Sequence, residues 1–274
     1  MSLKGKTVFI TGASRGIGRE IALRAACDGA NIVIAAKSTE AHPKLGGSIY
    51  TVAKEVEAAG GQALALQLDV RDQEAVALAM KQAFDHFGSI DILINNAGAI
   101  KLSGVEALDP KRFDLMYQIN TRAVLVCSQA ALPYLKQSKN PHILNLSPPL
   151  NLDPKWFTSY APYTITKYGM SMLTIGMNQE FANYGISVNS LWPRTIIATA
   201  AVEFSAGKAL FPRSRKPSIM ADAAYQILIS ENRALTGRLI IDEQILKERG
   251  ETNLDQYRYE NSDEELMVDL FVEE

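Results

Sequence analysis

Short runs of apolar residues recur along this chain, each separated from the next by a longer amphipathic run. That alternation limits the fold more than any single motif. Strands are expected at 7–10, 31–35, 62–68, 90–94, 142–146, 186–192 and 238–241, and helices at 16–28, 50–59, 74–87, 110–137, 163–184 and 221–229. A strand that is apolar throughout must be covered on both faces, which is the situation of a parallel sheet between helices. Right-handed crossovers then give an α/β fold: a Rossmann-type, doubly wound parallel sheet in three layers, α/β/α, as a single domain over 1–274. Punctuation agrees with the periodicity. Gly60-Gly61, Gly88 and Gly185 stop helices, and Asp109-Pro110 starts one. Pro133 should kink or shorten the helix it falls in.

Two segments break the rhythm. The stretch 38–48 is a long connection containing Pro and Gly, and 193–217 is long enough to be a substrate lid, with a basic run at Arg213-Ser214-Arg215-Lys216. A C-terminal tail follows at 243–274, and its last part, 260–274, is acidic with an apolar patch (Leu266, Met267, Val268, Leu270, Phe271). That patch is expected to pack on a partner subunit.

Composition narrows the function classes. A net charge of −2 argues against nucleic acid or an anionic membrane as partner, and no apolar stretch approaches a membrane span. Cys27 and Cys127 read as small buried hydrophobes with free thiols, and His42, His86 and His142 lack metal-ligand spacing, so no metal is expected. The N-terminus enters a strand at once without a secretory apolar segment, which makes the cytoplasm the default location.

Two motifs carry chemistry. Thr11-Gly12-Ala13-Ser14-Arg15-Gly16-Ile17-Gly18 joins the first strand to the first helix. Glycines there let the backbone approach a pyrophosphate, and the helix N-terminus offers free N–H groups and a positive dipole end. Tyr163 and Lys167 stand four residues apart in a helical run, so both side chains share one face, one turn apart. A nearby ammonium favours the phenolate and should draw the phenol below its usual pKa of about 10, toward acid/base work near neutral pH.

The glycine spacing, Gly-x-x-x-Gly-x-Gly, resembles the short-chain dehydrogenase/reductase family. Asp69-Val70 after the third strand, Asn95-Asn96-Ala97-Gly98 after the fourth, Asn120 in the long helix, and the Tyr163/Lys167 pair agree in order, and the likeness runs from about 6 to 242. The resemblance implies an enzyme acting on CH–OH and C=O groups. Tyr163 would be the proton donor and acceptor, Lys167 would hold the nicotinamide ribose and lower the tyrosine pKa, and Asn120 would hold a water leading to solvent. Cofactor contacts would come from Gly12, Ser14, Arg15, Gly16, Ile17, Gly18, Lys37, Asp69, Val70, Asn96, Ala97, Gly98, Tyr163 and Lys167, with Pro193 and Ile196 at the carboxamide. Some relatives carry a further C-terminal domain of sterol-carrier type, and none is expected within these 274 residues.

Two departures stand out. The family's serine after the fifth strand falls on Pro148, which has no donor. Adjacent Ser147 can swing in, Ser159 or Thr158 can substitute, or the role is vacant; Ser147 is kept as the fourth catalytic candidate. After the sixth strand, Pro193-Arg194 replaces the usual Pro-Gly, and Thr199 arrives one residue late for a phosphate contact.

The second strand ends Ala35-Ala36-Lys37-Ser38 with no carboxylate to hold a ribose 2′-hydroxyl, while Lys37 and Arg15 can face a 2′-phosphate. NADP(H) is therefore expected over NAD(H). Pro148, Pro149, Leu150, Trp156, Phe157 and Trp192, with Phe204, Leu210 and Phe211 in the lid, suggest a small lipophilic substrate: steroid-like, fatty-acyl or similar. The basic run would offer its anionic end a cation. The competing reading is a catalytically weak or inactive NADP(H)-binding sensor or scaffold. The resemblance also implies a homodimer or homotetramer through the helices that begin near Pro110 and Tyr163.

Overall fold

A computed structural model describes residues 1–41, 46–231, 233–260 and 262–273. His42 and part of the 38–48 connection lie outside the described residues, as do two positions of the 260–274 tail. Seven strands form one parallel sheet: β1 (Thr7–Thr11), β2 (Asn31–Ala36), β3 (Gln62–Gln67), β4 (Ile92–Asn95), β5 (His142–Asn145), β6 (Ser187–Trp192) and β7 (Leu239–Ile241), in the order β3-β2-β1-β4-β5-β6-β7. Neighbouring pairs are in parallel register throughout, from Thr7 opposite Asn31 to Trp192 opposite Ile241.

Alternation along each strand sends successive side chains to opposite faces. Val8 and Ile10 join the core under α1 (Gly16–Ala26) and α2 (Ile49–Ala58). Phe9 joins the core on the other face, under α3 (Gln73–Phe87). Each fully buried apolar side chain of this kind contributes roughly 1.5–3 kcal/mol. The three layers are as the periodicity predicts.

The helices begin where the chain supplies caps. The Ser48 and Thr51 side chains form a reciprocal capping box at the start of α2, and Asp72 Oδ1 accepts from Glu74 N and Ala75 N at 3.0 Å at the start of α3. The long helix expected at 110–137 is two helices, α4 (Pro110–Tyr117) and α5 (Ala123–Leu135), joined by a π-helical turn at Gln118–Arg122. A π turn inserts an extra residue, which no periodicity argument detects. Pro133 sits near the C-terminal end of α5.

Four further α-helices lie between β5 and β7 among the described residues: α6 (Lys155–Thr158), α7 (Ala161–Glu180), α8 (Ala200–Ala206) and α9 (Ser218–Leu228). α10 (Asp242–Glu248) opens the C-terminal tail. No described helix is long and apolar enough to cross a membrane.

Because β1 lies between β2 and β4, consecutive crossovers leave β1 in opposite directions and open a crevice at the strand C-termini.

Candidate active site

That crevice is a cavity of about 530 Å³, large enough for a dinucleotide-sized ligand to enter in part. Its floor at one end is the glycine turn. Gly12 has φ +70°, and a Cβ there would stand 2.8 Å from Ala97 Cα. No other residue fits that approach of two backbones. Asn96 holds them together: its Nδ2 donates to Thr11 O at 2.9 Å and to Gly12 O at 3.1 Å. A Cβ at Gly18 would collide with the same Asn96 amide, so Gly18 serves packing and does not line the cavity.

Ser14, Arg15, Gly16 and Ile17 line this end, as do Lys37, Asp69, Val70, Ala97 and Gly98. Arg15 reaches across to donate to Ser38 Oγ at 3.2 Å and Gly47 O at 3.1 Å. Lys37 lies 3.2 Å from Asp69, which Arg71 also grips, so Asp69 is held well below the usual carboxylate range. Thr199 caps α8 and lines the cavity, and its methyl is 3.7 Å from where a Cβ on Gly16 would be. Its late position in the sequence still brings it to the glycine turn.

Tyr163 and Lys167 line the far end with Asn120, Leu146 and Trp192. Both motif residues come from α7, one turn apart as their spacing predicts. Lys167 Nζ donates to Leu146 O at 2.5 Å and lies 4.9 Å from the Trp192 ring centre. Asn120 sits in the π turn, accepts from Ala99 N at 2.8 Å, and donates to Ala99 O and Thr166 Oγ1, each at 2.9 Å. The Tyr163 hydroxyl has no hydrogen-bond partner among the described residues.

The expected lowering of the phenol pKa is absent. Burial pushes Tyr163 well above its ordinary value, Asp269 adds to the rise, and burial draws Lys167 down to about 7. Enclosure outweighs the helical neighbour, because a lysine that is itself desolvated offers little charge.

Ser147 is also placed differently from expectation. It is fully buried, its Oγ has no partner among the described residues, and it does not line the cavity. Leu146 faces the cavity, and the next strand-end residue turns the other way. Ile196 behaves similarly: its N–H donates to Met267 O at 3.0 Å while Ile197 lines the cavity beside Pro193. Cys27, expected to be buried, is exposed at the end of α1, whereas Cys127 is buried and its thiol is pushed up to about 12. No group of residues suited to a metal occurs among the described residues.

The substrate side contains a feature that local reading missed. The C-terminal tail folds back on its own chain, where a partner-subunit contact was expected. Val268 bridges Thr195, Met267 N donates to Arg213 O at 2.9 Å, Asp269 N to Arg194 O at 2.9 Å, and Trp192 Nε1 to Leu270 O at 2.9 Å. Phe271, 1% exposed, then seats its ring among Trp156, Tyr160, Tyr163, Tyr168 and Trp192, with centroids 5.3–6.3 Å apart. Trp192 and Phe204 line the cavity, while Trp156 and Phe157 stand behind it in the aromatic cluster. The basic run is used internally. Arg213 donates to Glu265 O, Lys216 to Gln256 O, and Arg215 is buried against Glu243. None of the three lines the cavity.

The glycine turn, the Asn120 π turn and the Tyr163/Lys167 step thus meet in one crevice, and comparison with known proteins gives the same family. A profile of the short chain dehydrogenase family matches residues 6–208. Hydroxysteroid dehydrogenase-like protein 2 of Bos taurus is 54% identical over 272 residues, 99% of this chain and 64% of the relative. The chain spans between 51% and 65% of the length of the curated relatives it matches. The stretches 143–154 and 190–201 already look like that protein. A solved structure from Xanthomonas campestris superposes with TM-score 0.96 at 50% identity, covering 100% of both chains. A short chain dehydrogenase from Mycobacterium thermoresistibile superposes with TM-score 0.94 at 49% identity, covering 99% of this chain and 96% of that one. The chain belongs to the short-chain dehydrogenase family, oxidoreductases that bind a nicotinamide cofactor.

Proposed function

We propose that the protein is an NADP(H)-dependent oxidoreductase acting on a lipophilic hydroxyl or ketone, steroid-like, fatty-acyl or similar. One observation carries this reading: Tyr163 lines the cavity that begins at the glycine turn, and its hydroxyl is uncommitted among the described residues. The close backbone approach at Gly12 and the free N-terminus of α1 suit a pyrophosphate. Ser14, Arg15, Gly16 and Thr199 would hold it, and Pro193 and Ile197 would border the carboxamide. When bound, the nicotinamide supplies or accepts the hydride.

The chain's own residues do the rest. Tyr163, kept neutral by burial, is suited to give its proton to the substrate oxygen. Lys167, anchored on Leu146 O, keeps at least one further N–H donor for a ribose. Asn120 fixes the Ala99 backbone against α7. The Trp192 ring lines the cavity beside Tyr163, and Phe271 stacks on the Tyr163 ring from the tail. Exchange of Tyr163→Phe is expected to cut turnover by about 10²–10⁴-fold while NADPH binding, read by fluorescence titration, is unchanged. Undiminished turnover would sink the reading.

NADP(H) is preferred because β2 ends in Ala36 with no carboxylate, while Arg15, Lys37 and Ser38 line the adjoining wall. A higher kcat/KM for NADH than for NADPH would reverse this preference. A second reading, an NADP(H)-binding sensor or scaffold with little turnover, is favoured by the sealed Ser147. Such a protein binds NADPH and has no turnover for Tyr163→Phe to remove. Exposed Leu125 on α5 and Ile165, Met172 and Ile175 on α7 support a homodimer or homotetramer through these helices.

A further inference from the structure

The C-terminal tail brings into the cavity a polar side chain that neither sequence motif accounts for. Asp269 lines it together with Tyr163, Lys167 and Trp192. Around Tyr163 the other polar side chains are committed: Asn120 at both its amide atoms, Lys167 to Leu146 O. Asp269 is different. One carboxyl oxygen accepts from Leu270 N at 2.7 Å, and the other accepts no hydrogen bond among the described residues. The side chain is partly exposed and lines the cavity.

The tail is built to hold this residue in place. Its backbone is hydrogen-bonded to Arg194 and Arg213 on one side, and Trp192 Nε1 fastens Leu270. Two residues on, Phe271 has φ +70°, a left-handed conformation that a bulky side chain seldom adopts unless its surroundings impose it. Here the surroundings are five aromatic rings, with Tyr168 nearest at 5.3 Å and Tyr163 stacked at 6.2 Å. The turn that follows Asp269 thus ends in contact with the ring whose hydroxyl would do the chemistry.

We propose that Asp269 is a second hydrogen-bonding acid of the active site: neutral, it donates to the substrate oxygen that Tyr163 protonates, and ionised, it rejects substrates charged negatively beside the reacting carbon. This rests on the oxidoreductase reading above and narrows it to uncharged ketones and alcohols with an apolar body. Buried carboxylic acids kept neutral near pH 7 can act as donors in this way. The groups facing Asp269 are the phenols of Tyr160 and Tyr163, the Lys167 amine and the Asp242 carboxyl. Burial pushes Asp269 up to about 7, Asp242 adds to the rise, and the Leu270 N–H and Lys167 oppose it. The donor is lost as pH rises through that value, so ketone reduction should weaken in the same range.

The test uses the full chain with NADPH and a matched pair of probes, 4-phenyl-2-butanone and 2-oxo-4-phenylbutanoate. Asp269→Leu is expected to lower kcat for the butanone about 100-fold at pH 6, as for loss of an oxyanion donor, with NADPH binding unchanged. Asp269→Asn retains an N–H donor. It should keep most of that turnover, lose the fall near pH 7, and narrow the preference for the ketone over the keto acid about tenfold. Without any substrate, the Asp269 carboxyl carbon should titrate near neutral pH by NMR; a midpoint in the ordinary carboxylate range, about 4, overturns the proposal. So does full turnover in Asp269→Leu. A wild-type protein that reduces neither probe nor any lipophilic ketone in a panel sinks the oxidoreductase reading and this proposal with it. An active wild type with an indifferent Asp269→Leu sinks this proposal alone.

Discussion

The two ends of the crevice are made in different ways. At the glycine-turn end, the cavity is built from the C-terminal ends of β1, β2 and β4, and its carboxylate is satisfied by partners: Arg71 and Lys37 both hold Asp69. Its carboxyl pKa is lowered. At the Tyr163 end the walls come from α7, β6 and the C-terminal tail, and the ionisable groups are shifted by burial: Tyr163 up, Lys167 down, Asp242 and Asp269 up. One end is set up to hold fixed charge and the other to keep protons from settling as charge. The first suits phosphate recognition, and the second suits proton transfer at an oxygen.

The sharpest way to break this division is to cut the aromatic contact that closes the second end. Phe271→Ala removes a ring in contact with five others and should cost about 3–5 kcal/mol, read as a fall in Tm and faster amide exchange along 266–272. NADPH binding should survive. A parallel loss of cofactor affinity would show that the two ends are one unit.

Asp242 tests the same contrast through pH. It is fully buried at the start of α10, accepts from Arg194 N at 2.8 Å and Glu243 N at 2.7 Å, and leaves its other oxygen without a partner among the described residues. Burial raises its pKa to about 7. A folded-state value above the unfolded one means that the folded protein holds the proton longer. This contribution is full below about pH 4 and is lost as pH rises through about 7, amounting to as much as ~4 kcal/mol. Asp242→Asn should flatten that part of the pH–stability curve measured by urea unfolding. An unchanged slope between pH 4 and 7 would show that Asp242 is ionised in the fold.

This division also explains what the sequence could show. The sheet, the glycine turn and the Tyr163/Lys167 step were legible because each depends on residues close in the chain, where period and spacing express geometry directly. Asp69, Asn96 and Gly98 follow strands whose ends could be located. Asp269 and Phe271 were not legible, because nothing around them marks a site: their acidic, apolar surroundings read as a tail for a partner. Only the tertiary return of 266–272 to Trp192 and Arg194 gives them meaning. The phenol pKa was misjudged for a related reason. Spacing reports the neighbour, Lys167, but desolvation is set by the whole enclosure. Ser147 missed the cavity through a one-residue difference in facing, which strand ends fix only in three dimensions.

The glycine-turn end should respond to smaller changes, and in binding alone. Gly12→Ala places a methyl 2.8 Å from Ala97 Cα on a backbone at φ +70°, so either the turn opens or β4 shifts away. NADPH affinity should drop about 100-fold by fluorescence titration, since the same backbone would cradle the pyrophosphate. An unaltered Kd would mean that the phosphates sit elsewhere.

Lys37→Ala is the mildest probe. Lys37 is exposed and already shares Asp69 with Arg71, so its loss leaves the fold intact and frees a carboxylate that Arg71 still holds. Only a ligand charge placed over the end of β2 would register its absence. The expected result is a rise of about tenfold in KM for NADPH with KM for NADH unchanged, as for one charge-assisted contact to a phosphate. Equal effects on both cofactors would place the Lys37 contribution on the shared part of the dinucleotide and remove the charge argument for NADP(H).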